Sequence, residues 1–535
     1  MSTRDVVILG GGLAGLTLAL QLRTRLPTLS ITVIERNRFP VPAAAHKVGE
    51  STVEIGADYL ANVIGLREHL ESAHLKKFGF RFFFSEGRER IESVTELGAS
   101  DYLSTPGYQI DRGVLENHLA RLVEERGIEL LTGLTVREVE LCQDGENGEH
   151  RVTCERDGAA RSLSAHWVVD ASGRAGLLRK KLGLQTDNGH HANAVWFRLG
   201  SAIRVDDWCD EPAWQARCVR PERWLSTNHL VGPGYWAWLI PLTGGAHSVG
   251  IVADAAMHPL RDMNSFDRAL QWLGRHQPRL AASVAERRDS LLDFIALRHF
   301  SYGCRRVFSP QRWALTGEAG LFLDPFYSPG TDFIAIANTY ITDLVARDRG
   351  GEPVGMLASI YERFYLSFYE STLDLYRGQY RIFGHAEAMS VKVFWDYSYY
   401  WGVLAQLYFQ RRLTDVSCIA ALKQELLGLQ AVNREIQLLL RTWADTSSPR
   451  NRAQLIDQAS LPWFAELNRS LGDTTDKSSF LARIRANHAL LLSLAAEILE
   501  RSRPEVPASA CEPLQRLLYS PEDSVQAGAL LPAVA

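Results

Sequence analysis

The chain has 535 residues, 46% of them hydrophobic, which is enough apolar surface for two or three domains rather than one. Its formal charge is −4, from 58 basic and 62 acidic residues with no long run of either sign, so nothing favours nucleic acid or a membrane surface as a partner and a small molecule is expected instead. Seven scattered cysteines without a C-x-x-C pair argue against a disulfide framework or a zinc site, and for reduced thiols in a soluble, cytoplasmic protein. The opening "MSTRDVVILG" enters a strand almost at once, leaving no room for a cleavable signal, and no uninterrupted apolar run is long enough to span a bilayer.

"DVVILGGGLAGLTLALQL" predicts a strand, a tight turn and a helix. Gly10, Gly12 and Gly15 form G-x-G-x-x-G: the first permits the turn, the second lets a pyrophosphate approach the backbone, and the third lets helix and strand pack closely. The helix start supplies free N–H groups to the phosphates. The next strand, "ITVIER", ends in Glu35, where an acid can accept hydrogen bonds from a ribose. This context predicts a dinucleotide site.

Alternating, turn-rich stretches at about 80–104 and 186–300 predict a substrate-side sheet inserted into the dinucleotide module. "HWVVDASGRAGLLRKKLG" (166–183) predicts a strand ending in Asp170, a glycine turn and a helix. In "GYWAWLIPL" (234–242), alternation puts Trp236 and Trp238 on one face of a strand and Tyr235, Ala237 and Leu239 on the other. Taken alone, that pair is a core strand. "RWALTGEAGLFLDPFYSPGTDFIAIAN" (312–338) predicts a third strand, then Gly317 and Glu318, Asp324 and Pro325, a loop and a helix. From about 346 onward Tyr361, Tyr365, Phe368, Tyr369, Tyr376 and Tyr380 recur near helical period, and "KVFWDYSYYWGVLAQLYFQ" keeps the aromatic density. A helical domain is expected over 346–500. "RSRPEVPASACEP" (501–513) is expected to link it to a tail ending at 535.

Together the glycine turn, the D-x-x-G turn at Asp170 and the late segment with Gly317 and Pro325 resemble the FAD-dependent aromatic hydroxylase superfamily, with Glu318 where an aspartate is usual. Matches run over roughly residues 5 to 345. The resemblance implies an α/β fold, a Rossmann-type FAD module with the inserted sheet and the C-terminal helical domain. It implies that FAD is held by Gly10, Gly12, Gly15, Glu35, Arg36, Gly49, Glu50, Arg112, Asp170, Gly317, Glu318 and Asp324. "HKVGESTVEIGADYL" is similar to the flavin strap and the helix behind it, which Ser51 and Glu54 are expected to start as a capping box. "GYQIDRGVLENHLARLVEERGIEL" resembles the segment that packs a helix beside the flavin.

One branch of the superfamily, the flavin-dependent halogenases, carries W-x-W-x-I-P, which Trp236, Trp238, Ile240 and Pro241 satisfy. It also carries F-x-x-P-x-x-S-x-G, satisfied by Phe322, Pro325, Ser328 and Gly330, and a K-x-G lysine, supplied by Lys77 and Gly79. The resemblance implies that FADH2 from a separate flavin reductase, with oxygen, oxidises chloride or bromide to hypohalous acid. Lys77 then directs that electrophile to an aromatic ring bound elsewhere. A primary amine suits the task, because it donates hydrogen bonds when protonated and is nucleophilic when neutral. Halide is expected on Ser328, Gly330 and Thr331, and the indoles of Trp236 and Trp238 are expected to keep an organic substrate from the flavin.

Two positions depart from the tryptophan-specific members. Tyr327 stands where those have a glutamate, which points to an electron-rich phenol, resorcinol or pyrrole. Pro329 lies within the halide motif and brings no N–H, leaving Gly330 and Thr331 as donors. An FAD-dependent aromatic monooxygenase and a non-catalytic flavin-binding scaffold are the rival readings. The residues leave open whether the ring is free or tethered to a carrier protein, which halide is preferred, and the oligomeric state.

Overall fold

The computed structural model describes residues 3–43, 49–142, 148–519 and 529–532. Contacts divide the chain into two units. The first comprises Met1–His74, Ile110–Asn188 and Ser301–Tyr369, and the second Leu75–Gln109, Gly189–Phe300 and Glu370–Ala535.

The first unit is built on a seven-stranded sheet in the order Glu129–Thr132, Ile31–Glu35, Arg4–Leu9, Ala159–Asp170, His150–Arg156, Thr135–Glu140, with Trp313–Leu315 also paired to Ala159–Asp170. The strands nearest the glycine turn pair in parallel. Val6, Val7, Ile8 and Leu9 are wholly buried, the continuous apolar run that a parallel strand covered on both faces requires. Behind the turn, helices Leu13–Arg25 and Gly330–Arg349 are joined by one buried side chain. Asn338 donates through Nδ2 to Ala14 O, Thr17 Oγ1 and Tyr59 OH at 3.2, 3.2 and 2.9 Å, and accepts from Thr316 Oγ1 at 2.7 Å.

The second unit holds an eight-stranded sheet in the order Leu291–Leu297, Ala192–Leu199, His247–Asp254, Tyr235–Pro241, Thr227–Gly232, Phe80–Phe83, Glu96–Gly98, Leu455–Asp457. Tyr235, Ala237 and Leu239 join one apolar core with Trp272 and Leu273 of helix Phe266–His276. Burial of each such large side chain contributes about 1.5–3 kcal/mol. Helices Ala386–Tyr399, Lys423–Thr446 and Lys477–Ser502 complete the unit, around a buried Lys392–Asp396 ion pair at 2.8 Å.

Three features differ from the expectation. Helix Gly355–Leu373, counted with the C-terminal helices by its aromatic period, sends Tyr361 and Tyr365 into the first unit, where their rings meet Tyr340 and Phe308. The 501–513 segment is not an open linker: helix Lys477–Ser502 ends in it and helix Ala508–Leu518 begins in it, burying Cys511. The helix does not start where the capping box would place it: Val53, a side chain with no acceptor, is its N-cap and Glu54 its first residue.

Candidate functional site

The glycine turn is shaped as the motif demands. Gly10 has φ +114°, and a Cβ there would lie 2.4 Å from Ala171 O; a Cβ on Gly15 would lie 2.0 Å from Gly10 O. Around Gly12, the N-cap of helix Leu13–Arg25, a Cβ would meet nothing within 4 Å. That is the open space a pyrophosphate needs at the helix start, and the turn fits FAD. Glu35 accepts from Gly11 N at 2.7 Å and Asn37 N at 2.8 Å, so its carboxylate stands beside the turn, while Arg36 is exposed.

Residues 46–48 of the strap lie outside the described residues. Beyond them, Gly49 has φ +92° and sits against the Arg112 guanidinium, which pairs with Glu116 at 2.7 Å. Glu50 is buried and its carbonyl accepts from Ile110 N. Arg112 opens helix Arg112–Glu125, capped by Asp111, which accepts from Gly113 N and Val114 N.

Asp170 is fully buried, and its two carboxylate oxygens accept from Ser172 N and Leu178 N at 3.0 and 2.7 Å. It therefore shapes the turn after its strand. Burial raises its pKa. Gly317 takes φ +59°, close to Ala14. Burial also raises the Glu318 carboxyl, against the pull of Arg174, whose Nη1 lies 3.5 Å away, and of Arg112 and Arg179. Asp324 is buried and accepts from Phe326 N at 2.8 Å.

Tyr327 and Ser328 have φ of +65° and +54°, two successive non-glycine residues in the left-handed region. Such conformations cost about 1–3 kcal/mol each and cluster at functional sites. The strain turns the chain sharply into helix Gly330–Arg349. Pro329 is the N-cap, so the N–H groups of Gly330 and Thr331 fall in the first turn, where no acceptor within the helix is available. These donors, with the dipole of a 20-residue helix, can hold an anion. Gly56 N donates to Asp332 Oδ1 at 2.8 Å, and Gly56 without a side chain lets helix Glu54–Asp58 lie against Thr331.

In the second unit, Lys77 ends strand Leu75–Lys77 and is 5% exposed. Its Nζ lies 3.2 Å from the centre of the Phe80 ring. The Phe80 ring touches His229 and Tyr397 at centroid separations of 5.3 and 6.0 Å, and His229 in turn contacts Phe82 and Trp236. Burial and then the Lys77 charge push the His229 imidazole down to about 3, so it is neutral at pH 7. Lys76 points the other way, exposed over Tyr102.

Trp236 and Trp238 are each 2% exposed, with ring centroids 5.5 Å apart on the same face of strand Tyr235–Pro241. Trp236 Nε1 donates to Tyr380 OH and Trp238 Nε1 to Ser248 Oγ, both at 3.1 Å. The Trp238 indole lies over Gly250, where a Cβ would come within 2.2 Å of it. Pro241 ends the strand opposite His247. His229, Tyr397, Asn338 and Arg174 belong to none of the motifs in the sequence. His229 shares a strand face with Val231 and had no motif to mark it, whereas Arg174 and Asn338 stand inside the 166–183 and 312–338 segments but meet partners, Glu318 and Tyr59, far away in the chain.

The fold and the glycine turn define an FAD-binding protein, and the family model of the FAD binding domain matches residues 3–227. The flavin-dependent halogenase chlA of Dictyostelium discoideum is 25% identical over 437 residues, covering 76% of this chain and 70% of that protein. The 1H-pyrrole-2-carbonyl-[peptidyl-carrier protein] chlorinase of Pseudomonas fluorescens is 25% identical over 347 residues, 61% of this chain and 72% of its own length. Among solved structures, halogenase PltM has a TM-score of 0.65 at 17% identity, over 96% of this chain and 99% of its own. In sequence the chain is thus similar to proteins named as flavin-dependent halogenases, and in fold to a halogenase, on an FAD-binding domain.

Proposed function

We propose that the protein halogenates an electron-rich aromatic ring, with Lys77 directing the electrophile. The observation that carries this reading is the burial of Lys77 against Phe80 while Lys76 is exposed. Bound FADH2, supplied by a flavin reductase, with O2, a halide and a proton would yield FAD, hypohalous acid and water.

Gly330 and Thr331 would bind chloride or bromide through their N–H groups, with Ser328 beside them in the strained turn. The Phe80 ring face attracts an ammonium. That geometry favours an N–H hydrogen bond from Lys77 to the hypohalous oxygen over transfer of halogen to nitrogen. The ring carbon then takes the halogen, its hydrogen leaves as a proton, and that proton with the hydroxyl of the acid gives water. Burial of the amine keeps bulk water from competing for the hydrogen bond.

Tyr327 in place of a carboxylate supports a ring activated by its own substituents, of phenol, resorcinol or pyrrole type. The Pseudomonas fluorescens relative acts, by its name, on a carrier-bound pyrrole, which supports a tethered ring as one form of the substrate. The test is an assay with a flavin reductase, NADH, O2 and chloride or bromide over phenols, resorcinols, pyrroles and indoles, free and carrier-bound, with products resolved by mass. Halogen isotope patterns lost in Lys77→Ala are expected. A gain of one oxygen instead would make the protein a monooxygenase, and the absence of any product would favour a flavin-binding scaffold.

A further inference from the structure

We propose that Gln109 is the positioning residue for Lys77, acting through the two segments that clasp the K-x-G turn. The inference rests on the reading of Lys77 as the residue that directs the electrophile. Strand Leu75–Lys77 pairs antiparallel with strand Gly107–Gln109, with Leu75 opposite Gln109 and Lys77 opposite Gly107. That ladder holds the turn from one side. From the other side the stretch from Leu225 to Thr227 grips it: Phe78 N donates to Leu225 O at 3.1 Å, Ser226 Oγ to Phe78 O at 3.3 Å, and Thr227 N to Gly79 O at 3.0 Å. Gly79, at φ +82°, reverses the chain between the two.

The fully buried amide of Gln109 joins these two holds. Its Nε2 donates to Thr227 Oγ1 at 3.0 Å and to Leu225 O at 3.4 Å, the carbonyl that also receives Phe78 N. The Leu225–Thr227 stretch is in turn fixed by a buried ion network that includes Arg223, two residues before it. Glu96 accepts from both Arg81 and Arg223, all three fully buried, and Arg81 Nε reaches Ser226 Oγ at 3.5 Å. A buried network of this kind resists displacement, because separating any partner leaves a charge without water. Gln109 thus connects a fixed anchor to the strand that ends in Lys77. A one-residue slip there would exchange the buried Lys77 for the exposed Lys76.

The test compares wild type with Gln109→Met, which keeps the volume and removes both donor bonds, and with Thr227→Val, which removes the same bond from the other end. Lysine acetylation by acetic anhydride, followed by peptide mass mapping, reports Lys77 directly and needs no turnover. Lys77 labelling is expected to rise at least tenfold in both variants, with buried Lys392 still protected as the sign of an intact fold. In turnover, hypohalous acid caught by a small diketone trap is expected to hold within twofold while halogenated product per flavin oxidised falls five- to twentyfold. A variant that keeps Lys392 protected and leaves Lys77 labelling at the wild-type rate overturns the proposal. If wild type makes no halogenated product, the functional reading fails, and the labelling result still decides the positioning role.

Discussion

The Lys77 amine caps the face of the Phe80 ring at 3.2 Å, three residues along the same chain. The contact selects between two adjacent lysines that differ in nothing but the side of the strand they occupy.

Lys77→Met is therefore expected to lower halogenated product at least a hundredfold with flavin oxidation unchanged, and Lys76→Met to stay within twofold of wild type. Phe80→Leu, which keeps the burial and removes the ring face, is expected to fall between them. Product per flavin oxidised, measured for all three, checks the order; equal loss in Lys76→Met would sink the assignment.

The two outer positions of G-x-G-x-x-G and the middle one separate by what a methyl group would meet. Gly15→Ala would drive its Cβ to 2.0 Å from Gly10 O and is expected to destabilise the apoprotein by several kcal/mol, beyond ordinary overpacking of about 1–3 kcal/mol. Gly12→Ala meets open space, so the apoprotein is expected to melt as wild type does, while FAD affinity falls at least tenfold. Thermal melts without FAD, beside FAD titration by fluorescence quenching, read the two effects apart.

Pro329 occupies the N-cap, and the helix donors begin at Gly330. Restoring an N–H with Pro329→Ala is expected to change the halide concentration for half-maximal rate by less than threefold. Ser328→Gly, which relieves a side chain held at φ +54°, is expected to raise stability by about 0.5–1 kcal/mol and to weaken halide use by loosening the turn. Rate against chloride concentration, with melting curves, checks both; a tenfold gain in halide affinity for Pro329→Ala would show that the cap position itself matters.

Acid should weaken the fold through its buried imidazoles. Burial, then Lys77, pushes His229 down to about 3, and burial, then Arg287, does the same to His247, against 6.5 in an open chain. Between those values the unfolded chain binds a proton that the folded one refuses, so the stability contributed is present above about pH 6.5 and is lost as pH falls toward 3. Each would remove about 2 kcal/mol on going from pH 7 to pH 5. His247→Gln is expected to shrink that loss by its share. It isolates the histidine from Asp170 and Asp206, whose raised carboxyls act with the opposite sign. Chemical denaturation at the two pH values measures the difference.

Much of the site was legible because the residues concerned act through their own stretch of backbone. The glycine turn, the W-x-W face and the proline before the helix each follow from spacing within a few positions. The failures have equally local causes. Ser51 and Glu54 match a capping pattern, yet the helix starts three residues beyond Ser51, with the extended Val53 at its N-cap. Helix Gly355–Leu373 has an aromatic stripe whose period states only that one face is buried, not which unit buries it.

What the sequence by itself determined is the chemistry-bearing set: a dinucleotide turn, a proline loop leading into a helix, paired indoles and a lysine before a glycine. Periodicity and steric rules act between near neighbours, so such features survive without knowledge of the fold. Which lysine is buried, that His229 stands neutral beside it, and that the Gln109 amide bonds Thr227 were decided only by tertiary structure. Those facts come from hydrogen bonds and ring contacts between residues more than a hundred positions apart, such as Gln109 with Thr227 and Lys77's partner Phe80 with His229. No local pattern encodes them, because burial is a property of what the rest of the chain places on top.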